Sequence, residues 1–473
     1  TPDPLNRGNE SLTRLCNSPG VIAKEWGEEL GDSFPDDIAS SLLNISTRNE
    51  EANYVILSGE YPNGHDFDHL PNNSHLKPED ILGELYTRDW DDDGKAASKV
   101  TDWLAEHTIP SSDELRENPP ILPRDELKDK GLDALLALFD NEDFRETMSN
   151  TGHSVVDEGG GEDGKDETWY DVSAGHLNPE LANGFGDVFL ANMEVFGDTN
   201  GVGDAAAEQD TRFSAESRIA FMQVPMADSD TATSIYQDVL TNSAEKMEEF
   251  LQGGDFPNTE AGRAGAIQGL VEQALLNESQ TRGDNHNEQI EHYNKVTSSA
   301  VDVLGSVDLG LSGPVVEVAK IFANEILEKD TKDEVEINAR SGTIEKEYES
   351  EEKLNAMAVS LILGEGGDGS ILKDNKYEEM VDFIEKMEEK YAPYNKEKGE
   401  ILVDGPNGTY VPPNHMDWDL ESTSGALKDI FSEFSSEDFR DTVGGTEKNL
   451  GDATEDFLGS FNRARTTWEE HAV

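Results

Sequence analysis

The sharpest chemical signal in the 473-residue sequence is the run Asp89-Trp90-Asp91-Asp92-Asp93-Gly94. Carboxylates at the first, third and fifth positions with glycine at the sixth match the opening of an EF-hand loop, whose oxygen ligands ring a calcium ion while the glycine makes the sharp turn. The match stops there. Position seven is Lys95, and position twelve is Val100 where a bidentate glutamate belongs. The competing and favoured reading is a turn whose last aspartate caps a helix beginning at Lys95, since negative charge at a helix N-terminus is favourable.

Histidine offers less. His65 and His69 are four apart but sit in a proline- and asparagine-rich loop, and His286 and His292 are six apart, which does not put two imidazoles on one helical face. No HExxH occurs, and among 10 histidines such spacings arise by coincidence. With 101 aspartates and glutamates in the chain, paired carboxylates carry no information about acid–base catalysis. There is no GxSxG, no P-loop and no GxGxxG between the right elements. Gly159, Gly160 and Gly161, and the glycines from Gly364 to Gly369, lie among acidic residues whose charge repels phosphate, and read as linkers. The sequence therefore assigns no catalytic, cofactor-binding or metal residue and implies no cofactor. Calcium at Asp89, Asp91 and Asp93 is left open.

Charge narrows the function classes. The 37 basic and 101 acidic side chains leave a net charge of −64 and a pI near 4.2. Phosphate recognition needs clustered Lys and Arg, so a nucleic-acid binder is disfavoured, as is a peripheral protein of anionic membranes. The acidity is spread along the chain rather than gathered in a tail, as on a solvated surface whose self-repulsion is screened by high ionic strength. A salt-loving source or salty extracellular setting fits. A single cysteine, Cys16, excludes an intramolecular disulfide and any Cys-based cluster within one chain. No run of 18 apolar residues exists, so no membrane span is expected, and Val315–Ala323 and Met357–Leu363 are interrupted or too short. Starting at Thr1 without a charged-then-apolar leader, the chain reads as processed, cut from a longer protein, or exported by a route without a cleaved signal peptide.

The elements that must position these residues are helical. Counting glycine, about 44% of residues are apolar, just under the usual ~45–50%, which is enough for a core. Apolar residues recur at three-to-four spacing in nearly every segment, with Pro and Gly breaks between them. Helices are expected from Pro19 and after Pro35, then at Arg48–Leu57, Pro78–Leu85, Lys95–Glu106, Arg124–Met148, Pro179–Phe196, Ser214–Gln223, Thr231–Leu251 and Thr259–Ser279. Further ones follow at Asn285–Leu304, Pro314–Lys329, Tyr377–Tyr391, Ser424–Phe434 and Glu447–Trp468. Asp157–Glu167 reads as an exposed acidic loop. Only Gly399–Pro412 carries the apolar–turn–apolar pattern of a hairpin. The fold class is all-α, a multi-helix bundle or irregular helical stack with at most one small hairpin near 399–412. The expected regions are 1–109, 124–330, and 331–473 with the hairpin. Leu135, Leu136, Phe139, Phe189, Ile219, Ile235, Leu270, Ile321, Phe383 and Phe457 are the expected core.

Two stretches carry a family resemblance. One is LNISTRNEEANYVIL (Leu43–Leu57) followed by LGELYTRDWDDDGKAASKVTDWLAE (Leu82–Glu106): an asparagine-led helix start, then an Arg-Asp-Trp-Asp-Gly turn before an Ala-rich helix. The other runs from Leu132 to Leu327 through NPELANGF, FSAESRIAFMQV, DTATSIYQDVL, AGRAGAIQGLVEQAL and GPVVEVAKIFANEIL. In these the chain resembles an actinobacterial α-helical family of unassigned activity, "TPR-like", found beside WXG-type modules in type VII secretion and polymorphic-toxin proteins. The motifs are packing motifs, and the resemblance transfers no functional residue. A type VII tail motif, Tyr-x-x-x-Asp/Glu, is met only by Tyr348 with Glu352, no more than chance gives in so acidic a chain. The resemblance implies a non-enzymatic scaffold or delivery region of an exported actinobacterial protein, acting through protein partners, extracellular or at the cell surface, with the cytoplasm as alternative. The rival is a metal-assisted hydrolase of a salt-adapted organism, using Asp89, Asp91, Asp93 or His65 and His69. The oligomeric state is unassigned.

Overall fold

Prolines, acidic first turns and asparagine caps set the helix starts. Asp36 and Asp37 occupy the first turn of α1 (Asp36–Ser46). Asn49 caps α2 (Glu50–Ser58) by accepting the Ala52 N–H, and left-handed Gly59 (φ 70°) closes it by donating to the Val55 carbonyl. Pro78 opens α3 (Pro78–Tyr86), where its missing N–H costs nothing. Then follow α4 (Lys95–Ser98), α5 (Arg124–Phe139), α6 (Glu142–Ser149), the β1–β2 pair (Ser154–Glu158 and Glu167–Asp171), α7 (Ala174–Leu177), α8 (Pro179–Ala191), α9 (Met193–Phe196), α10 (Ala215–Met226), α11 (Ser229–Leu251) and α12 (Asn258–Thr281), with β3 (Val403–Gly405) and β4 (Gly408–Tyr410) as a second pair. The computed structural model describes residues 36–60, 77–105, 124–158, 167–197, 213–251, 258–281, 292–293, 295–296, 403–405, 408–410, 459–461, 463–464 and 468.

The class is all-α, as the helical periodicity indicates. The hairpin near 399–412 is present, with Val403 opposite Tyr410 and Gly405 opposite Gly408. A second antiparallel pair corrects the limit of one hairpin: β1 and β2 run in register from Ser154↔Asp171 to Glu158↔Glu167, so the ends of the supposed loop at Asp157–Glu167 are strand. Three expected helices are subdivided for identifiable reasons. Lys95–Glu106 is α4 followed by a 3-10 turn at Asp102–Leu104, because the β-branched Thr101 turns its hydroxyl back onto the Ser98 carbonyl at 2.9 Å. Arg124–Met148 breaks at Asn141, which caps α6 by accepting from the Asp143 and Phe144 N–H groups. Pro179–Phe196 breaks at Asn192, whose amide donates to the Val188 and Leu104 carbonyls.

Contacts divide the chain into two units, one of residues 1–235, 270–292 and 468–473, the other of 236–269 and 293–467. In the first, α10 lies on α8, α5 and α7, while α2 lies on α5 and α4 on α8. Its core is aromatic. Phe139 meets Phe144 and Phe221 edge-on with centroids 5.3 and 5.6 Å apart, and Tyr86 meets Phe185 the same way at 5.5 Å. Such pairs add about 0.5–1.5 kcal/mol each beyond the area they bury. Leu135, Leu136, Phe139, Phe189, Ile219, Ile235 and Leu270 are all buried as expected. Ile321, Phe383 and Phe457, and the helices expected from Pro19 and at Pro314–Lys329, Tyr377–Tyr391 and Ser424–Phe434, lie outside the described residues. In the second unit, Gly265 lets the backbone of Phe461 come so close that a β-carbon would stand 2.1 Å from its carbonyl oxygen.

Candidate functional site

The acidic turn is where the sequence placed its chemistry. Asp89, Asp91 and Asp93 are exposed, and among the described residues no group of three or more His, Cys, Asp or Glu is placed to hold a metal ion. What the turn does hold is other backbone. Asp93, at a left-handed φ of 55°, presents its carbonyl to the N–H groups of Glu180 and Leu181 at 2.9 and 3.3 Å, satisfying orphan donors at the start of α8. Its side chain does not cap α4 as expected. The cap position is Gly94, which makes no side-chain bond and whose φ of 82° suits glycine. Room is also short there, since a β-carbon on Gly94 would stand 2.7 Å from that of Asn178.

Asn178 completes the joint. Fully buried, it donates from Nδ2 to the Tyr86 and Arg88 carbonyls at 3.1 and 2.9 Å and accepts the Trp90 N–H at 3.3 Å. Trp90 is locked in turn by its indole N–H to the Leu85 carbonyl, with the Arg88 guanidinium 5.0 Å from the ring centroid and ion-paired to Asp36. Behind the turn, burial pushes the Tyr86 phenol far up; the Thr101 hydroxyl opposes this and the negative Asp102 adds to it, so the group stays neutral.

His292 is the only one of the four singled-out histidines among the described residues. Its buried ring donates from Nε2 to the Met226 carbonyl at 2.9 Å, leaving Nδ1 to accept the Ser229 hydroxyl at 3.0 Å in the neutral form. It brackets the α10–α11 turn. His65, His69 and His286, Gly159, Gly160 and Gly161, and the glycines from Gly364 to Gly369 lie outside the described residues.

Sequence reasoning passed over Arg218. It is 1% exposed, donates to the Phe196 and Ser214 carbonyls, and stacks on the buried Trp468 ring with 4.7 Å from guanidinium to centroid. Nothing local in SAESRIAF announces an inward arginine, because its aromatic partner stands about 250 positions downstream. Also unanticipated is the outer face of α1, where Ile38, Leu42 and Ile45 are 47%, 41% and 59% exposed. Scattered exposed aliphatics are ordinary, but three in a row along one helix make a patch.

Residues 14–103 match the family model described as a TPR repeat domain. The match takes in α1 to α4, the acidic turn and the exposed α1 face. Comparison with curated proteins and with solved structures finds no match. Among the described residues, no helix is long and apolar enough to cross a membrane.

Proposed function

We propose that this chain is a non-enzymatic helical scaffold and delivery region of an exported actinobacterial protein, of the type VII secretion or polymorphic-toxin kind, working through contacts with other proteins outside the cell or at its surface. The observation that supports it most is the TPR-like repeat domain at 14–103, a type of helical array that typically offers surface to protein partners. Two buried polar residues support it too: Asn178 spends its side-chain amide on the backbone of the acidic turn, and His292 brackets the α10–α11 turn through the Met226 carbonyl and the Ser229 hydroxyl, which is the work of a frame. The net charge of −64 agrees with a salty working environment and with partners that are not nucleic acid.

The test is turnover. The purified full chain, in molar sodium chloride with and without calcium, zinc or magnesium, is screened against nuclease, peptidase, glycosidase and NAD-consuming substrates. No activity above a blank is expected. Turnover that a single point mutation abolishes would sink the scaffold reading. Metal-dependent turnover lost on changing Asp89, Asp91 or Asp93 to asparagine would install the hydrolase in its place.

A further inference from the structure

We propose that the first unit carries a ready-made slot for a tryptophan side chain over Arg218, and that Trp468 fills it from within as a strap that can leave without unfolding the unit. This goes beyond the scaffold reading and does not depend on it, because it names a binding site, the chemistry of its ligand and the residue that keeps it closed.

The floor of the slot is built without Trp468. Arg218 on α10 donates from Nη1 to the Phe196 carbonyl at 3.0 Å and from Nε to the Ser214 carbonyl at 3.3 Å, so its guanidinium is held in place by backbone. Those two carbonyls are fixed in turn. Phe196 packs its ring on Phe189 and Phe221 with centroids 5.2 and 5.1 Å apart, and Ser214 caps α10 by accepting the Ser217 N–H while its hydroxyl donates to Asp140. All of these residues lie between 140 and 221. A guanidinium held this way offers a flat, weakly hydrated cation, and the face of an indole is the aromatic surface that attracts a cation best.

The occupant has the pattern of a strap. Trp468 is 0% exposed, and the Arg218 guanidinium carbon stands 4.7 Å from its ring centroid. Yet in NRARTTWEEHAV (Asn462–Val473) it is the only large apolar residue between Phe461 and Val473, with two threonines before it and two glutamates after. Core helices of this chain bury a repeating stripe, as α8 does with Leu181, Phe185, Val188 and Phe189. A lone buried aromatic among polar neighbours is how a docked segment holds on through one anchor. With a single anchor above and a floor that keeps its own bonds, the contact opens and closes as one event.

The test titrates the full chain carrying Trp468→Ala with a dye-labelled peptide of residues 463–473, followed by fluorescence anisotropy in molar sodium chloride. The variant is expected to bind it, and the parent to bind at least about tenfold more weakly, because its own tethered indole competes at an effective concentration in the millimolar range. The same peptide with Trp468→Ala should not bind. Adding Arg218→Lys to the Trp468→Ala chain should weaken binding at least about fivefold, since a compact ammonium cannot offer the indole a flat face. No binding by the Trp468→Ala chain, equal binding by variant and parent, equal binding of the peptide without its tryptophan, or affinity unchanged by Arg218→Lys overturns the proposal. Folding is read separately. By far-ultraviolet circular dichroism the Trp468→Ala chain should keep the parent's helical signal and melt cooperatively, with Tm lower by a few degrees. Loss of that signal also overturns the proposal, because Trp468 would then be core and not strap.

Discussion

Replacing Asn178 with alanine removes three hydrogen bonds in one step: two donated to the Tyr86 and Arg88 carbonyls and one accepted from the Trp90 N–H. Each is worth about 1 kcal/mol net, and a buried backbone group left without a partner costs about 1–3 kcal/mol. The site is closed by Trp90, Gly94 and Leu181, all buried, so water cannot readily replace the amide. The expected loss is about 3–4 kcal/mol, or a fall in Tm on the order of 10 °C for a unit of this size. Asn178→Asp sharpens the test. It keeps an acceptor for Trp90 but turns a carboxylate toward two carbonyl oxygens, so it should be at least as destabilising at pH 7 and recover in part when protonated. Melting by far-ultraviolet circular dichroism in molar salt gives the size of the effect. Amide exchange gives its location, and faster exchange is expected at Trp90, Glu180 and Leu181. A Tm within about 2 °C of the parent, or exchange unchanged at those three amides, would refute the idea that Asn178 holds the acidic turn to α8.

Three further outcomes are expected. Screening of like charges should raise Tm steadily from low to molar sodium chloride, and a flat or falling curve would mean that the −64 is already compensated. Gly175→Ala should cost about 3 kcal/mol, read by chemical denaturation, since the new β-carbon would stand 2.0 Å from the Val224 carbonyl oxygen and α7 would have to leave α10. Burial of part of each side chain raises the carboxyls of Asp187 and Asp238, although both residues remain substantially exposed. A raised folded-state value means the charged form weakens the fold at neutral pH. Asp187→Asn and Asp238→Asn should therefore melt slightly higher than the parent at pH 7, with the gap closing as pH falls through the folded-state value toward the unfolded one near 3.8. An unchanged gap at acid pH would point to a cause other than titration.

The helices were legible wherever a local signal marks an end. Pro78 and Pro179 begin helices, and the periodic leucines and phenylalanines of Arg124–Phe139 and Pro179–Ala191 are buried. Their interruptions were not, because Asn141 and Asn192 look like any polar residue on a helix until their amides find backbone to bond. The β1–β2 pair was hidden by its composition, since SVVDE and ETWYD alternate for too few residues to stand out beside an acidic, glycine-rich stretch. The acidic turn shows the deeper obstacle. Its spacing matches the opening of a calcium loop only as far as the sixth position, while its use depends on Asn178 and α8, nearly ninety positions away, and a residue's partner across such a distance leaves no trace in its neighbours. Asn-Pro at 178–179 was visible as a helix start, but not that the asparagine amide reaches back to Tyr86 and Arg88.

The Trp468–Arg218 stack has a consequence in time rather than space. During synthesis Arg218 leaves the ribosome about 250 residues before the indole that covers it, and at ~5–20 residues per second that interval is roughly 12–50 seconds. Throughout it the guanidinium lacks its aromatic lid, so the first unit cannot reach its final state before residue 468 has emerged. Tryptophan 468 thus sets the earliest moment at which folding of this unit can become complete.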